Sequence, residues 1–265
     1  MTRLDVLLVE KGIASSRENA KRLIESGKVK VNGVSVMKCS KTFDESAVIE
    51  AEQDKYVSRG AYKLERALDA FGISVEGKRF MDCSASTGSF TDCLLQRGAE
   101  KVWAVDVGTS QLAQRLKDDE RVVSMEQTNI RYMQRKCWME DIYAAVMDLS
   151  FISLTLILER LFEILNENAI YIALIKPQFD AGKEHLNKNG IVRDKRVHAD
   201  VIEKICSCVK KNGRVVKGLT YSPISGGDGN IEYLVCFGKF EDGIVLDRIT
   251  VEKTVNEAFD IIKKQ

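Results

Sequence analysis

The chain has 265 residues, of which 45% are hydrophobic, and its 40 basic and 39 acidic side chains leave a net charge of +1. This length allows a sizeable core and a small accessory domain. No apolar run approaches the roughly 20 residues of a membrane span, and the N-terminal apolar stretch carries acidic residues, unlike a secretory signal. We therefore expect a cytoplasmic protein that does not enter a membrane.

The seven cysteines do not suggest a disulfide framework. Their number is odd, and Cys83, Cys93 and Cys236 lie inside apolar segments, which is typical of buried thiols. Cys206 and Cys208 are separated by one residue, a spacing unlike that of zinc ligands. We expect no metal ion.

The N-terminal region predicts one helix followed by one hairpin. Residues 15–18, of sequence SSRE, have the form of a helix capping box, and apolar residues then repeat on one helical face until Gly27. The alternating runs 29–31 and 34–36 are joined by an Asn-Gly dipeptide, which tolerates positive φ at both central turn positions.

Basic residues are concentrated in this region, with seven basic and two acidic residues between positions 17 and 41. Such a density suits a phosphate backbone, although a charge run alone more often marks a solvated surface. The sequence RLDVLLVEKGIASSRENAKRLIESGKVKVNGVSV closely resembles the S4 RNA-binding domain. The resemblance implies that RNA is bound by the basic residues Arg3, Arg17, Lys21, Arg22, Lys28 and Lys30.

Residues 54–57, of sequence DKYV, read as a short linker to an amphipathic stretch at 61–71. We therefore expect a small α+β RNA-binding domain at 1–57 and a second domain at 58–265.

The second domain alternates apolar, β-rich runs with helical patterns such as 154–165, and a final amphipathic helix is expected at 250–264. The expected strands lie at 79–85, 101–107, 122–128, 143–149, 169–176, 213–221 and 231–240. Seven strands alternating with helices indicate an α/β fold with a Rossmann-like, doubly wound and largely parallel sheet. Ligands bind such sheets at the carboxyl ends of the strands.

The first of these strands runs into a turn of small residues, DCSASTGSF at 82–90, which lets a ligand approach the backbone. Eighteen residues after Gly88, the second strand ends at Asp106, where a carboxylate can accept hydrogen bonds from ribose hydroxyls. The glycine fingerprint of dinucleotide-binding proteins is absent, which disfavours a nicotinamide oxidoreductase. The pattern indicates a nucleoside cofactor without phosphates, although such turns also serve simply to pack a helix on a strand.

Four charged residues lie where apolar segments meet loops. Asp148 and Lys176 each follow a predicted strand, Lys63 follows an Arg-Gly pair, and Glu232 follows a glycine-rich segment. Taken singly, Asp148 could cap the next helix, and Lys176 could extend its amine to solvent. As a set, the four are poorly explained by such structural roles.

Several segments carry a family resemblance: SRGAYKLERAL, DCSASTGSFTDCLLQRGA, VDVG, TNIR, MDLSFISL, IKPQFDAGK and GGDGNIEYL. They closely resemble the TlyA-type group, also called hemolysin A, of the FtsJ-like ribose methyltransferases. The resemblance covers nearly the whole chain. It implies that S-adenosylmethionine is the cofactor, that Lys63, Asp148, Lys176 and Glu232 are catalytic, and that cytidines of ribosomal RNA or ribosomal subunits are methylated at the ribose 2′-hydroxyl.

The resemblance also implies contacts to the cofactor and to RNA. The implied cofactor contacts are Ser84, Ser86, Gly88, Phe90, Asp106, Asn129 and Asp148. Arg59 and Lys183 are expected to contact phosphates, and residues 178–195 are expected to form a long substrate-side loop. Ser84, Ser89 and Ser110 stand where the family usually has glycine, which adds side chains near the expected cofactor.

Methyl transfer to a hydroxyl requires in-line geometry and removal of a proton. We expect Lys176 to be the base, because desolvation and the nearby charge of Lys63 both favour an uncharged amine. Asp148 would orient Lys176, and Glu232 would position Lys63 or the ribose.

Two other functions fit parts of the sequence. The added serines would suit a ribosome-binding or assembly protein that keeps the fold but has a weakened cofactor site. The hemolysin name suggests a membrane-lytic protein, which the lack of long apolar segments disfavours. The four charged residues together favour the enzyme, since a binding protein would not need both lysines.

Overall fold

The computed structural model describes residues 1–14, 16–52, 55–226, 229–244 and 246–262. The chain divides into two compact units, Met1–Lys55 and Tyr56–Gln265. This division lies two residues before the boundary predicted between the two domains. Parts of the predicted capping box, linker, glycine-rich segment and C-terminal helix lie outside the described residues, namely Ser15, Asp54, Gly227, Asp228, Lys263 and Lys264.

The first unit is a small α+β domain. Its elements are β1 (Thr2–Arg3), α1 (Leu4–Glu10), α2 (Arg17–Glu25), β2 (Val29–Val31), β3 (Val34–Ser35), β4 (Thr42–Phe43) and β5 (Ile49–Ala51). The predicted helix is α2, which Ser16 caps by accepting a hydrogen bond from the Asn19 N–H at 3.2 Å. The predicted hairpin joins β2 to β3, with Asn32 at φ 52° and Gly33 at φ 78°. The helix α1 was not predicted.

The second unit contains a seven-stranded sheet flanked by helices. Its strands are β6 (Arg79–Cys83), β7 (Lys101–Val105), β8 (Val122–Met125), β9 (Ala144–Met147), β10 (Ile170–Ile175), β11 (Val215–Tyr221) and β12 (Tyr233–Gly238). Its α-helices are α3 (Ala61–Phe71), α4 (Ser89–Gln96), α5 (Gln114–Lys117), α6 (Leu154–Ile164), α7 (Pro177–Asp180), α8 (Lys195–Lys211) and α9 (Arg248–Ile262).

The strand order is β11-β12-β10-β9-β6-β7-β8, and β12 runs antiparallel to both of its neighbours. The pairs among the other adjacent strands are parallel, which confirms the largely parallel sheet. The predicted run at 79–85 is too long at its end, because Ser84 adopts φ 67° and turns the backbone out of the sheet. The backbone thus leaves the sheet at Ser84, directly after β6.

Helices cover both faces of this sheet. Phe80 and Met81 are neighbours on β6 but belong to different hydrophobic clusters, since successive side chains of a strand point to opposite faces. The cluster around Phe80 includes Leu64 of α3, and the cluster around Met81 includes Leu158 of α6. The doubly wound architecture is therefore confirmed.

The predicted unstructured segment 178–195 is in fact ordered. It contains α7, a 3-10 turn at Lys183–His185 and an antiparallel bridge between Leu186 and Val192. Many of its hydrogen bonds are local, such as that from the Asn187 N–H to the Ile191 carbonyl, and Asn230 and His198 supply others. Within the described ranges, no helix is long and apolar enough to cross a membrane.

Candidate active site

The turn after β6 contains three residues with left-handed backbone, Ser84 at φ 67°, Ser86 at φ 48° and Gly88 at φ 91°. A Cβ on Gly88 would lie 2.3 Å from Cδ1 of Leu116, so both backbone and packing require glycine there. The two serines adopt a conformation that costs an L residue about 1 kcal/mol. Contacts from elsewhere in the unit must therefore hold the turn.

Asp106, directly after β7, supplies such contacts. Its Oδ2 accepts a hydrogen bond from the Ser86 N–H at 2.8 Å, and its Oδ1 accepts one from the Gly108 N–H at 2.7 Å. A carboxylate oxygen can accept a second hydrogen bond. Because Asp106 also lines a cleft of about 980 Å³, it can hold the turn and still meet a ligand hydroxyl.

This first cleft opens at the carboxyl ends of the parallel strands. Its walls include five of the predicted cofactor contacts, which are Ser84, Ser86, Phe90, Asp106 and Asp148. Phe90 is only 1% exposed and belongs mainly to the hydrophobic core. Gly88 packs against Leu112 and Leu116. The residues of the sequence pattern thus lie around the cleft. Two of them, Phe90 and Gly88, contribute more to packing than to the wall of the cavity.

A side pocket of about 170 Å³ contains the remaining predicted contact, Asn129. The Oδ1 of Asn129 accepts a hydrogen bond from the Arg131 N–H at 3.0 Å and caps a 3-10 turn. The pocket shares Ser84 and Asp106 with the first cleft, and Ile157 is among its apolar walls. Its size and apolar character suit one planar base beside a polar cleft.

The four predicted catalytic residues converge. Lys63 Nζ lies 2.5 Å from Glu232 Oε2 and 3.9 Å from Asp148 Oδ2, and Lys176 Nζ lies 2.6 Å from Asp148 Oδ1. Asp148 therefore bridges two lysines. Lys176 also donates a hydrogen bond to Ser150 Oγ at 2.8 Å.

The strand directions explain this convergence. Asp148 and Lys176 each follow the last residue of a parallel strand, β9 and β10. Glu232 precedes β12, whose antiparallel direction brings its first residues to the same edge of the sheet. Lys63 lies in the first turn of α3, on the helix face that is buried. A local pattern could not have indicated that β12 is reversed.

Burial dominates the electrostatics of this group. Lys63, Lys176 and Glu232 are buried, and Asp148 is partly buried. Desolvation raises the pKa of Glu232, and the positive charge of Lys63 opposes this shift. Two cations and two anions balance one another, so the group is close to neutral when all four are ionised.

Asp82, at the penultimate position of β6, was not singled out from the sequence. Its Oδ2 accepts hydrogen bonds from the Thr91 N–H at 2.9 Å and the Thr91 hydroxyl at 2.7 Å. Its Oδ1 is buried without a hydrogen-bond partner, and Asp82 lines the first cleft. Burial raises the pKa of Asp82 to about 7. An acidic residue between the apolar Met81 and Cys83 near the end of a strand was the available signal.

A second cleft, of about 580 Å³, adjoins the first one. Lys176, Ser150 and Phe151 line both clefts, while Glu232 lines the second. Phe151 has φ 64° and is 91% exposed, with its ring centroid 5.2 Å from that of Phe179. The charged group therefore lies between two cavities, and an aromatic side chain stands at their junction.

In the first unit, Asp5 organises two of the predicted RNA contacts. Arg3 donates two hydrogen bonds to Asp5, at 3.0 and 3.1 Å, and Arg17 donates one at 2.9 Å. The Arg3 hydrogen bonds are the main cause that lowers the pKa of Asp5 to about 2. Sequence reasoning missed Asp5, which is buried although it lies next to exposed bases.

The other predicted RNA contacts lie at or near the surface. Lys21 is exposed and 3.8 Å from Glu25, Lys30 is exposed, and Arg22 and Lys28 are half-buried. In the second unit, Arg59 is exposed and lines the first cleft.

All seven cysteines are free, and Cys83, Cys93 and Cys236 are buried. Among the described residues, no cluster of three or more His, Cys, Asp or Glu side chains could hold a metal ion.

The chain is similar to known proteins over most of its length. Residues 56–239 match the FtsJ-like methyltransferase family, and residues 2–49 match the S4 domain. The chain is 45% identical to YqxC of Bacillus subtilis, which is described as a candidate rRNA methyltransferase. The match covers 99% of this chain and 96% of YqxC. The Mycobacterium tuberculosis 16S/23S rRNA (cytidine-2′-O)-methyltransferase TlyA is 39% identical over 88% of each chain.

A solved structure from Streptococcus thermophilus, described as a hemolysin candidate, is 42% identical with a TM-score of 0.78 and covers 99% of this chain and 97% of its own. The chain therefore belongs to the FtsJ-like methyltransferase family and carries an N-terminal S4 domain.

Proposed function

We propose that this protein transfers a methyl group from S-adenosylmethionine to the ribose 2′-hydroxyl of a cytidine in ribosomal RNA, in the cytoplasm. The observation that carries the proposal is the group formed by Lys63, Asp148, Lys176 and Glu232 between two clefts. A cavity on each side of one charged group suits a reaction between two substrates. The names of the relatives supply the class of substrate.

The first cleft and its side pocket fit S-adenosylmethionine. Asp106 would accept hydrogen bonds from the ribose, and the side pocket beside Asn129 would take the adenine. The unpartnered Oδ1 of Asp82 offers a negative charge for a cationic ligand group. When bound, S-adenosylmethionine supplies an electrophilic methyl group on a positively charged sulfur.

Lys176 is the residue that removes the proton of the ribose 2′-hydroxyl. Lys176 lines both clefts, so its amine, when uncharged, can accept the proton of a hydroxyl held in the second cleft. Asp148 orients this amine from 2.6 Å. Lys63 also contacts Asp148, at 3.9 Å. Glu232 holds Lys63 in place.

The second cleft fits the target nucleoside. Phe151 presents an exposed ring on which an unstacked base can lie, and single bases in RNA are commonly recognised by such stacking. The basic face of the first unit and Arg59 would contribute phosphate contacts that are independent of base sequence. Substrate binding is therefore expected to weaken as salt concentration rises.

The competing function is a ribosome-binding protein with a weakened cofactor site. It is favoured by Ser84, which places a hydroxymethyl group in the wall of the first cleft. Against it, a binding protein has no use for two buried lysines arranged around one carboxylate.

The test is calorimetric titration of the full chain with S-adenosylmethionine, followed by labelled methyl transfer to purified ribosomal subunits. Transfer should appear as 2′-O-methylcytidine after nuclease digestion, and Lys176→Ala should abolish it while cofactor binding persists. Lys239→Ala, which removes an exposed lysine paired with Glu167, is the matched control. Binding to subunits without affinity for the cofactor would establish the competing function instead.

A further inference from the structure

The segment from Leu186 to Val192, hereafter the 186–192 hairpin, is closed by its own hydrogen bonds. Its ends pair as an antiparallel bridge, and the Asn187 N–H donates to the Ile191 carbonyl at 3.0 Å. The Asn187 side chain accepts hydrogen bonds from the N–H groups of Asn189 and Ile191, each at 2.9 Å. The hairpin is thus a turn with its own internal hydrogen bonds.

Two buried side chains anchor this hairpin to the rest of the unit. Asn230 is 2% exposed; its Oδ1 accepts from the Val192 N–H at 3.3 Å, and its Nδ2 donates to the Gly190 carbonyl at 3.2 Å. His198 is fully buried, and its Nε2 lies 2.9 Å from the Val192 carbonyl. Both backbone polar groups of Val192 are therefore held by side chains from other segments.

The tautomer of His198 is determined by its partners. A carbonyl can only accept, so Nε2 carries the proton and donates to Val192. Nδ1 is then an acceptor, and it receives a hydrogen bond from the Tyr233 hydroxyl at 2.8 Å. Burial lowers the pKa of His198, which keeps the ring in this neutral form.

The same short segment carries both the anchor and a member of the charged group. Asn230 holds the hairpin directly, Tyr233 contacts it only through His198, and Glu232 between them holds Lys63. Leu186 and Gly190 of the hairpin line the second cleft together with Lys176 and Glu232. Within the described part of the chain, no residue of the hairpin lines the first cleft, although Gly226 and Gly229, which precede Asn230, do.

We propose that Asn230 and His198 are positioning residues that hold the 186–192 hairpin as one wall of the target-nucleoside cleft, so that binding of RNA depends on them and binding of cofactor does not. The proposal rests on the proposed function, because it takes the second cleft as the place of the target nucleoside. Under this proposal, Asn230 and His198 influence substrate specificity without needing to touch the substrate.

The test compares Asn230→Ala with Asn166→Ala in the full chain. Asn166 is a matched control, since it also bridges backbone groups, donating to the Ile142 carbonyl at 2.7 Å and accepting from the Asn168 N–H at 3.0 Å. Trypsin cleavage after Lys188, an exposed hairpin residue, reports whether the hairpin is held. Methyl transfer reports KM and kcat for ribosomal subunits, and calorimetry reports the Kd for S-adenosylmethionine.

In Asn230→Ala, cleavage after Lys188 should accelerate about tenfold, and KM for subunits should rise about tenfold, which corresponds to about 1.4 kcal/mol. The Kd for S-adenosylmethionine should stay within about twofold of the wild-type value. Tyr233→Phe, which removes one hydroxyl, should change cleavage and KM in the same direction by less. Asn166→Ala should change neither.

Faster cleavage with an unchanged KM would overturn the proposal, and so would a parallel loss of cofactor affinity. If the wild type binds subunits but transfers no methyl group, the proposed function fails by itself. The Kd for subunits then replaces KM, and the positioning role is judged on whether that Kd rises in Asn230→Ala.

Discussion

Lys63 and Glu232 are 169 positions apart in the sequence, yet the Nζ of one lies 2.5 Å from the Oε2 of the other. One is supplied by the first turn of α3 and the other by the residue before β12. Their pairing closes a charged group that also includes Asp148 and Lys176. Removal of any member should therefore affect the others.

The first prediction concerns Glu232→Gln. Lys63 would lose its nearest anion while remaining buried and would keep only the more distant Asp148, which Lys176 also contacts. Removing one partner of a buried ion pair costs about 3 kcal/mol or more. The free energy of unfolding, measured with urea, should fall by about that amount, and methyl transfer should fall about 100-fold or more. Glu167→Gln, in an exposed pair with Lys239, should lower stability by less than about 1 kcal/mol. Equal losses in the two variants would contradict the buried pair.

The second prediction concerns pH and Asp82. Its pKa is raised from 3.8 to about 7, so the folded chain binds the extra proton and the free energy of unfolding falls as pH rises between these values. Asp82→Asn should flatten this dependence. The measurement is urea unfolding of both proteins at intervals from about pH 4 to about pH 8.

Cofactor binding should report on the same carboxyl group. A cation bound beside Asp82 favours its charged form, so S-adenosylmethionine should release a proton on binding at about pH 6. Calorimetry in two buffers with different ionisation enthalpies measures this release. It should disappear in Asp82→Asn and persist in Asp141→Asn, a surface variant beside Arg79. Proton release that is equal in all three proteins would exclude Asp82 as its source.

The third prediction separates two serines that stand where the family usually has glycine. Ser84 has φ 67°, so Ser84→Gly should relieve strain and raise stability by about 1 kcal/mol. It should also widen the first cleft and lower the Kd for S-adenosylmethionine. Ser89 begins α4 without a positive φ, so Ser89→Gly should lower stability by about 0.5 to 1 kcal/mol. Thermal unfolding would distinguish the two.

The fourth prediction tests the arrangement of the basic face. Asp5→Asn should release Arg3 and Arg17 from fixed positions and weaken binding of ribosomal RNA about fivefold, or about 1 kcal/mol. Asp44→Asn, in an exposed turn, is the control. Because Arg3 and Arg17 lower the pKa of Asp5 to about 2, its stabilising effect is present above pH 3.8 and is lost as pH falls towards about 2. Tighter RNA binding in Asp5→Asn would show that the pairing only competes with phosphate.

Local pattern was sufficient for the strands of the large sheet and for the β2–β3 hairpin, although it missed α1. Alternation and an Asn-Gly dipeptide predicted the β2–β3 hairpin, and apolar runs predicted all seven strands of the large sheet. These features depend on residues a few positions apart, whose preferences act wherever the segment lies. Motif resemblance then pointed to the four charged residues and to five predicted cofactor contacts that line the first cleft.

Tertiary structure alone decided how those elements meet. The reversal of β12 brings Glu232 to the edge that holds Asp148 and Lys176, and sheet order is set by packing between distant segments. Asp5 and Asp82 owe their shifted pKa values to neighbours and to burial that no local pattern contains. The sequence of the 186–192 hairpin predicts an irregular loop, because Asn230 and His198, which hold it, lie outside the hairpin. The sequence alone determined which residues could react, and folding determined which of them share one largely buried, charged site, because burial and long-range pairing are properties of the folded chain.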